Sequence, residues 1–75
     1  MGKLPRITGA VAKRAFEKAG FARVRMKGSH AIMKKAGHPL VLSIPLHAGK
    51  TMGAGLLKSQ IDAAGMTVEE FVELL

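Results

Sequence analysis

The residues best suited to chemistry in this chain are three histidines: His30, His38 and His47. Histidine exchanges a proton near neutral pH, so it can serve as a general base or a general acid. A row of alternating cations precedes the first of them: Arg23, Arg25 and Lys27. A base beside phosphate-binding cations has what cleavage of RNA through its own 2′-hydroxyl needs, with no metal ion required.

Each histidine also has a simpler interpretation. His30 is alternatively a partly exposed strand residue without a catalytic role. His47 follows Pro45 where a predicted strand meets a loop, and it is either the acid partner of His30 or a residue that hydrogen-bonds the loop. His38 lies in a turn and is expected to be exposed and inert. The histidines are eight and nine residues apart with no acidic residue between them, so neither a metal site nor a cofactor is predicted.

Composition predicts one small basic domain over residues 1–75. A hydrophobic fraction of 48% supports a folded protein, and the absence of cysteine excludes disulfide scaffolds, zinc knuckles and thiol nucleophiles. All twelve Lys and Arg residues lie in residues 1–61 with a single acidic residue, whereas residues 62–75 carry the other acidic residues and no base. Such a surface suits a polyanion such as nucleic acid, and a basic surface kept for solubility is the alternative.

No segment is predicted to enter a membrane. The longest uncharged run, residues 36–49, is interrupted by two histidines and two prolines and is shorter than the roughly 20 apolar residues of a membrane span. The N-terminal residues lack the apolar stretch of a secretory signal. The expected location is therefore the cytoplasm, with no membrane partner.

The elements that must position these residues begin with a helix over residues 9–19, opened by Thr8 as N-cap and ended by Gly20. A strand over residues 21–27 follows, and Gly28-Ser29 suits a two-residue hairpin turn into a second strand that begins at His30. Such a turn predicts a register that pairs Lys27 with His30, Arg25 with Ile32 and Arg23 with Lys34. The alternation assigns the core face to Val24, Met26, Ala31 and Met33. It assigns the outer face to Arg23, Arg25, Lys27, His30 and Lys34.

The rest of the chain completes an α+β domain of order α-β-β-β-α-α. A third strand is expected over residues 40–44, with Leu40, Leu42 and Ile44 pointing inward. A loop over residues 46–52 carries His47 and Lys50, and a helix over residues 53–64 ends at Gly65. Thr67 and Glu70 form a capping box for a short last helix. We expect a three-stranded antiparallel sheet with the helices on one face and the basic face open.

The RNA contacts expected from this arrangement are polar. The predicted RNA-binding residues are Arg23, Arg25, Lys27, Lys34 and Lys50. All three phenylalanines fall on predicted core positions, and the chain has no Tyr or Trp on which bases could stack. We therefore expect contacts to the backbone and the 2′-hydroxyl groups rather than base stacking.

One ordered set of residues carries a family resemblance: Gly28, Ser29, His30, Pro45, His47, Lys50, Gly55, Leu57, Ile61 and Gly65. It resembles the HicA family of toxin mRNA interferases from toxin-antitoxin systems. The resemblance implies a double-stranded-RNA-binding-domain-like fold, metal-independent endoribonuclease activity on mRNA, and a HicB-type antitoxin that covers the active site. The family's catalytic histidine maps onto His30, with Ser29 and His47 as auxiliary candidates. Ala31 departs from the family, whose members often have a bulkier residue there.

Two further functions remain open from the sequence. The chain could be a non-catalytic module that holds double-stranded RNA by shape and charge. It could also be an inactive toxin relative that acts only through a protein partner.

Overall fold

The computed structural model describes residues 3–75. Its elements are α1 (Gly9–Lys18), β1 (Ala22–Lys27), β2 (His30–Lys34), β3 (Leu42–Pro45), α2 (Ala54–Ala63) and α3 (Val68–Val72). The three strands form one antiparallel sheet in the order β1-β2-β3. The predicted α+β fold of order α-β-β-β-α-α is confirmed. None of the helices in residues 3–75 is long and apolar enough to cross a membrane.

The helix ends follow the local sequence signals. The Thr8 hydroxyl accepts a hydrogen bond from the Val11 amide at 3.3 Å and so opens α1. Gly20 and Gly65, with φ of 103° and 77°, follow α1 and α2 in a backbone conformation that favours glycine. At α3, the Thr67 and Glu70 side chains accept each other's backbone amides, which confirms the predicted capping box.

The core lies between one face of the sheet and the helices. Alternate residues of β2 and β3 point into it and are fully buried: Ala31, Met33, Leu42 and Ile44. The helices contribute the buried side chains of Phe16, Leu57, Ile61 and Phe71. The Phe16 and Phe71 rings lie 4.9 Å apart, which joins the first helix to the last. Packing therefore covers one face of the sheet, as expected, and leaves the face of His30 to solvent.

The predicted burial of β1 is wrong. Every residue of β1 is exposed, including Val24 at 52% and Met26 at 43%. The predicted register holds next to the turn, where Lys27 pairs with His30 and Arg25 with Ile32, but a β-bulge then intervenes. Arg23 pairs with Met33 instead of Lys34. The core beneath the sheet is built under β2 and β3, so β1 has no helix to bury its apolar side chains.

The third strand is also shorter than predicted. It begins at Leu42, and Leu40 is 53% exposed rather than inward. The free edge of β3 is met by α2, whose Gln60 side chain accepts a hydrogen bond from the Ser43 amide at 2.9 Å. This bond satisfies an edge amide that would otherwise be available to another strand. In α2, Leu57 and Ile61 are buried, but Leu56 is exposed and not part of the core.

Candidate active site

His30 is the first residue of the central strand, and both neighbouring strands hold its backbone. It pairs with Lys27 on one side and with Pro45 on the other. The preceding turn consists of Gly28, with φ of 59°, and Ser29, as the two-residue hairpin loop predicts. The His30 side chain is half-buried on the face opposite the helices. A residue fixed between two strands is well placed for precise chemistry.

His47 comes close to His30 because the loop after β3 is attached to the hairpin turn. The Leu46 amide donates to the Ser29 carbonyl at 2.8 Å, which continues the pairing of the sheet by one bond. The next residue, His47, has its Nε2 atom 3.4 Å from the Ser29 hydroxyl. The His30 and His47 rings then meet edge to face, with centroids 6.5 Å apart. The structure thus brings together His30 and both of its auxiliary candidates.

Backbone hydrogen bonds fix the loop that carries His47 at its two ends and within it. The Met52 amide donates to the Ile7 carbonyl at 2.8 Å, and Thr51 forms a β-bridge with Thr8. Within the loop, the Lys50 amide donates to the His47 carbonyl at 3.1 Å. This turn keeps the predicted RNA-binding residue Lys50 close to His47. These bonds hold the loop in one position beside the start of α1.

Gly9 lets α1 approach this loop. A Cβ atom at this position would overlap the carbonyl group of Pro45, the residue that pairs with His30. Only glycine permits so close an approach of two backbones. The sequence pattern does not predict this role for Gly9. A glycine directly after the N-cap Thr8 is nevertheless a signal, because glycine is a poor helix former.

The cations divide between the two faces of the sheet. Arg25 and Lys27 pair with residues of the outer face, and Lys34 shares that face with His30 by strand alternation. Arg23 was expected beside them, but the bulge pairs it with Met33, which belongs to the covered face. The outer face therefore keeps Arg25, Lys27 and Lys34, while Arg23 points away from His30.

The outer cations are free to meet an external anion. Two ion pairs occur in residues 3–75, between Lys13 and Glu17 and between Lys58 and Asp62, each at 2.7 Å. Both lie within helices. In that part of the chain, the cations of the hairpin consequently have no acidic partner, and a phosphate group would be their natural counterion.

His38 is not the exposed and inert residue that the sequence suggested. Its Nε2–H donates to the Ala63 carbonyl at 2.6 Å, because a carbonyl oxygen can only accept. Its half-buried ring also packs edge to face on Phe21, with centroids 5.3 Å apart. His38 therefore ties the loop before β3 to the last turn of α2. No sequence signal indicated a partner 25 residues away.

Taken together, the geometry offers two imidazoles, a hydroxyl and several free cations on one exposed surface. Two histidines facing one substrate allow one to take a proton while the other gives one. Within residues 3–75, no three His, Cys, Asp or Glu side chains form a group that could hold a metal ion.

Comparison with known protein families assigns most of the chain to one of them. A family model described as the HicA toxin of bacterial toxin-antitoxin systems matches residues 12–66. The matched segment contains Ser29, His30 and His47 as well as the whole sheet. Gly9 and α3 lie outside it. No curated protein matches this chain significantly.

Proposed function

Because this chain belongs to the HicA toxin family, we propose that it is an endoribonuclease that cleaves mRNA with His30 as its general base and without a metal ion. The family membership makes it a toxin of a toxin-antitoxin system. The observation that carries the proposed activity is the meeting of His30, His47 and Ser29 on a surface with free cations.

The proposed reaction is an internal transfer of the phosphate within the RNA. His30 accepts the proton of the 2′-hydroxyl, and the 2′-oxygen attacks the neighbouring phosphorus. The bond from phosphorus to the 5′-oxygen breaks, and His47 gives this oxygen a proton. The products are a 2′,3′-cyclic phosphate and a 5′-hydroxyl. Arg25 and Lys27 offset the negative charge that develops on the phosphate.

Ser29 is proposed as a positioning residue for His47. Its hydroxyl lies 3.4 Å from the His47 Nε2 atom, and it can either donate to a neutral ring or accept from a charged one. In both protonation states the contact restricts the orientation of a ring that is otherwise exposed. Its effect is thus expected on the rate of proton transfer to the leaving group.

The first experiment tests the chemistry with purified protein and a short labelled RNA. We expect cleavage to persist in the presence of a metal chelator and to stop when the residue before the cleaved bond carries a 2′-deoxyribose. His30→Ala should lower the rate by about 10²-fold or more, the usual contribution of a general base. Lys58→Ala is the matched control, because Lys58 lies on α2 and pairs with Asp62. Cleavage by His30→Ala at the parental rate would refute the assignment.

A second experiment separates the two histidines. An RNA analogue whose 5′-oxygen is replaced by a good leaving group no longer needs a proton donor. It should restore the rate of His47→Ala and of Ser29→Ala, but not that of His30→Ala. If it restores none of the variants, His47 acts only as a loop residue.

The same surface also supports a function without catalysis, as a module that binds double-stranded RNA or as a toxin relative that acts only through a partner. The free cations of the hairpin favour this second candidate as much as the first. Salt-dependent RNA binding with no cleavage by the parent protein would select the binding module. Neither binding nor cleavage of RNA would select the partner-only function.

The partner proposed for this surface is a HicB-type antitoxin. Arg25 and Lys27 offer ion pairs to an acidic protein, and half-buried Ile32, opposite Arg25 on the neighbouring strand, offers an apolar contact. We expect the antitoxin to exclude RNA by occupying this face. Hydrogen exchange on the complex should then show protection centred on residues 23–34. Residues 62–75 carry four of the five acidic residues. Protection confined to them would instead show that the antitoxin binds this acidic segment and not the basic face.

A further inference from the structure

A cleft of about 490 Å³ lies between the first turns of α1 and the loop that carries His47. Its lining residues are Thr8, Ala10, Lys13, Arg14, Leu46, His47, Ala48 and Gly49. This volume is in the range of pockets that bind small molecules. The cleft shares one residue, His47, with the proposed active site, and the sequence predicts no ligand for the rest of it.

The walls of the cleft suit a nucleoside. Small or apolar residues form most of the surface, including Ala10, Leu46 and Ala48, and the His47 imidazole is the one ring among the lining residues. Such walls favour contact with the faces of a base and a ribose through exclusion of water. Two cations line the cleft, Lys13 and the exposed Arg14. Because Lys13 is paired with Glu17 at 2.7 Å, Arg14 is the one that a ligand would meet. A sugar-phosphate chain leaving the cleft would meet this guanidinium.

Backbone hydrogen bonds and one close backbone contact fix both walls of the cleft. Its loop wall is held by the bond from Leu46 to Ser29 and by the bond from Met52 to Ile7, both 2.8 Å long. Its helix wall is held against the loop by the close approach of Gly9 to Pro45. A preformed site spends little binding energy on ordering its own loops.

We propose that this cleft binds the nucleoside on the downstream side of the cleaved phosphate, the one whose 5′-oxygen leaves. This inference rests on the proposed function, in which His47 gives its proton to that oxygen. Because His47 also lines the cleft, the nucleoside attached to the leaving oxygen is the one that reaches it. The upstream nucleoside, which carries the attacking 2′-hydroxyl, remains beside His30 on the sheet.

The test compares three fluorescein-labelled RNAs of one sequence whose cleaved bond has been mapped. The first is intact, the second lacks the downstream base, and the third lacks the upstream base. Ala10→Leu fills the cleft from the exposed side of α1 without changing a charge, and leucine is a good helix former. Ala36→Leu places the same side chain on an exposed turn outside the cleft and serves as the control.

For the parent protein, loss of the downstream base should raise KM about tenfold, equivalent to roughly 1.4 kcal/mol of binding. Ala10→Leu should raise KM for the intact RNA to that same value and abolish the difference between the first two RNAs. Ala36→Leu should behave as the parent protein does. Loss of the upstream base should raise KM equally in all three proteins.

Several results would overturn the proposal. A downstream base that makes no difference to the parent protein would show that the cleft is not its site. If Ala10→Leu leaves KM unchanged but weakens binding of the co-purified HicB-type antitoxin, the occupant is a protein side chain. Absence of cleavage for every RNA and protein would instead refute the proposed function itself, and the nucleoside site with it.

Discussion

Replacement of Gly9 by alanine should damage both the stability of the protein and its proposed activity. A methyl group at this position would overlap the Pro45 carbonyl, so either α1 or the end of β3 must move. In an ordinary helix, alanine is more stable than glycine by about 0.5–1 kcal/mol. Overpacking between two backbones costs about 1–3 kcal/mol. The middle values of these two ranges leave a net loss of about 1 kcal/mol in the free energy of unfolding.

Thermal unfolding followed by far-ultraviolet circular dichroism measures this loss, since the chain has no Trp or Tyr to report by fluorescence. For a domain of this size, each kcal/mol lowers Tm by about 4–8 °C. Gly55→Ala is the matched control, because it lies in α2 and nothing is within 4 Å of its added Cβ. That variant should keep or raise Tm, by the ordinary preference of helices for alanine.

The effect of Gly9→Ala should extend to the proposed active site. Pro45 pairs with His30 and lies two residues before His47, so displacement of its backbone changes the distance between the two imidazoles. A misplacement of about 1 Å is enough to cost about 10²-fold in rate. Gly9→Ala with unchanged Tm and parental RNA cleavage would refute this account of how α1 positions the loop.

Three further predictions concern the charges, the third histidine and the exposed strand. The double variant Arg25→Ala, Lys27→Ala should weaken RNA binding for every sequence. The slope of log K against log salt concentration should fall by about two units in this variant and stay unchanged in Lys58→Ala, as binding titrations at several salt concentrations would measure. His38→Ala should lower the free energy of unfolding by about 1–2 kcal/mol through its lost hydrogen bond, with urea unfolding as the assay. Val24→Thr should change that free energy by less than about 0.5 kcal/mol, because Val24 is exposed. A loss typical of a core residue would show that Val24 is buried, as the alternation of β1 predicts.

Local structure was largely determined by the sequence. The hairpin next to Gly28 and Ser29 has its predicted register, because a two-residue turn dictates which residues face each other just beyond it. The helix ends at Thr8, Gly20 and Thr67 follow from hydrogen-bonding side chains and a conformation that favours glycine. Each of these features depends on residues within a few positions of one another, so periodicity and turn chemistry suffice to predict it.

The tertiary structure decided what depends on distant parts of the chain. The alternation of β1 predicts a buried face, but a strand buries its apolar side only where another layer packs on it. The bulge at Val24 also moves Arg23 to the other face of the sheet. His38 gained a role from a carbonyl of α2. The sequence offers His30 and His47 as a candidate pair but leaves open whether they meet. The bond from Leu46 to Ser29 brings them together, since it joins two loops that are neighbours only after the sheet has formed.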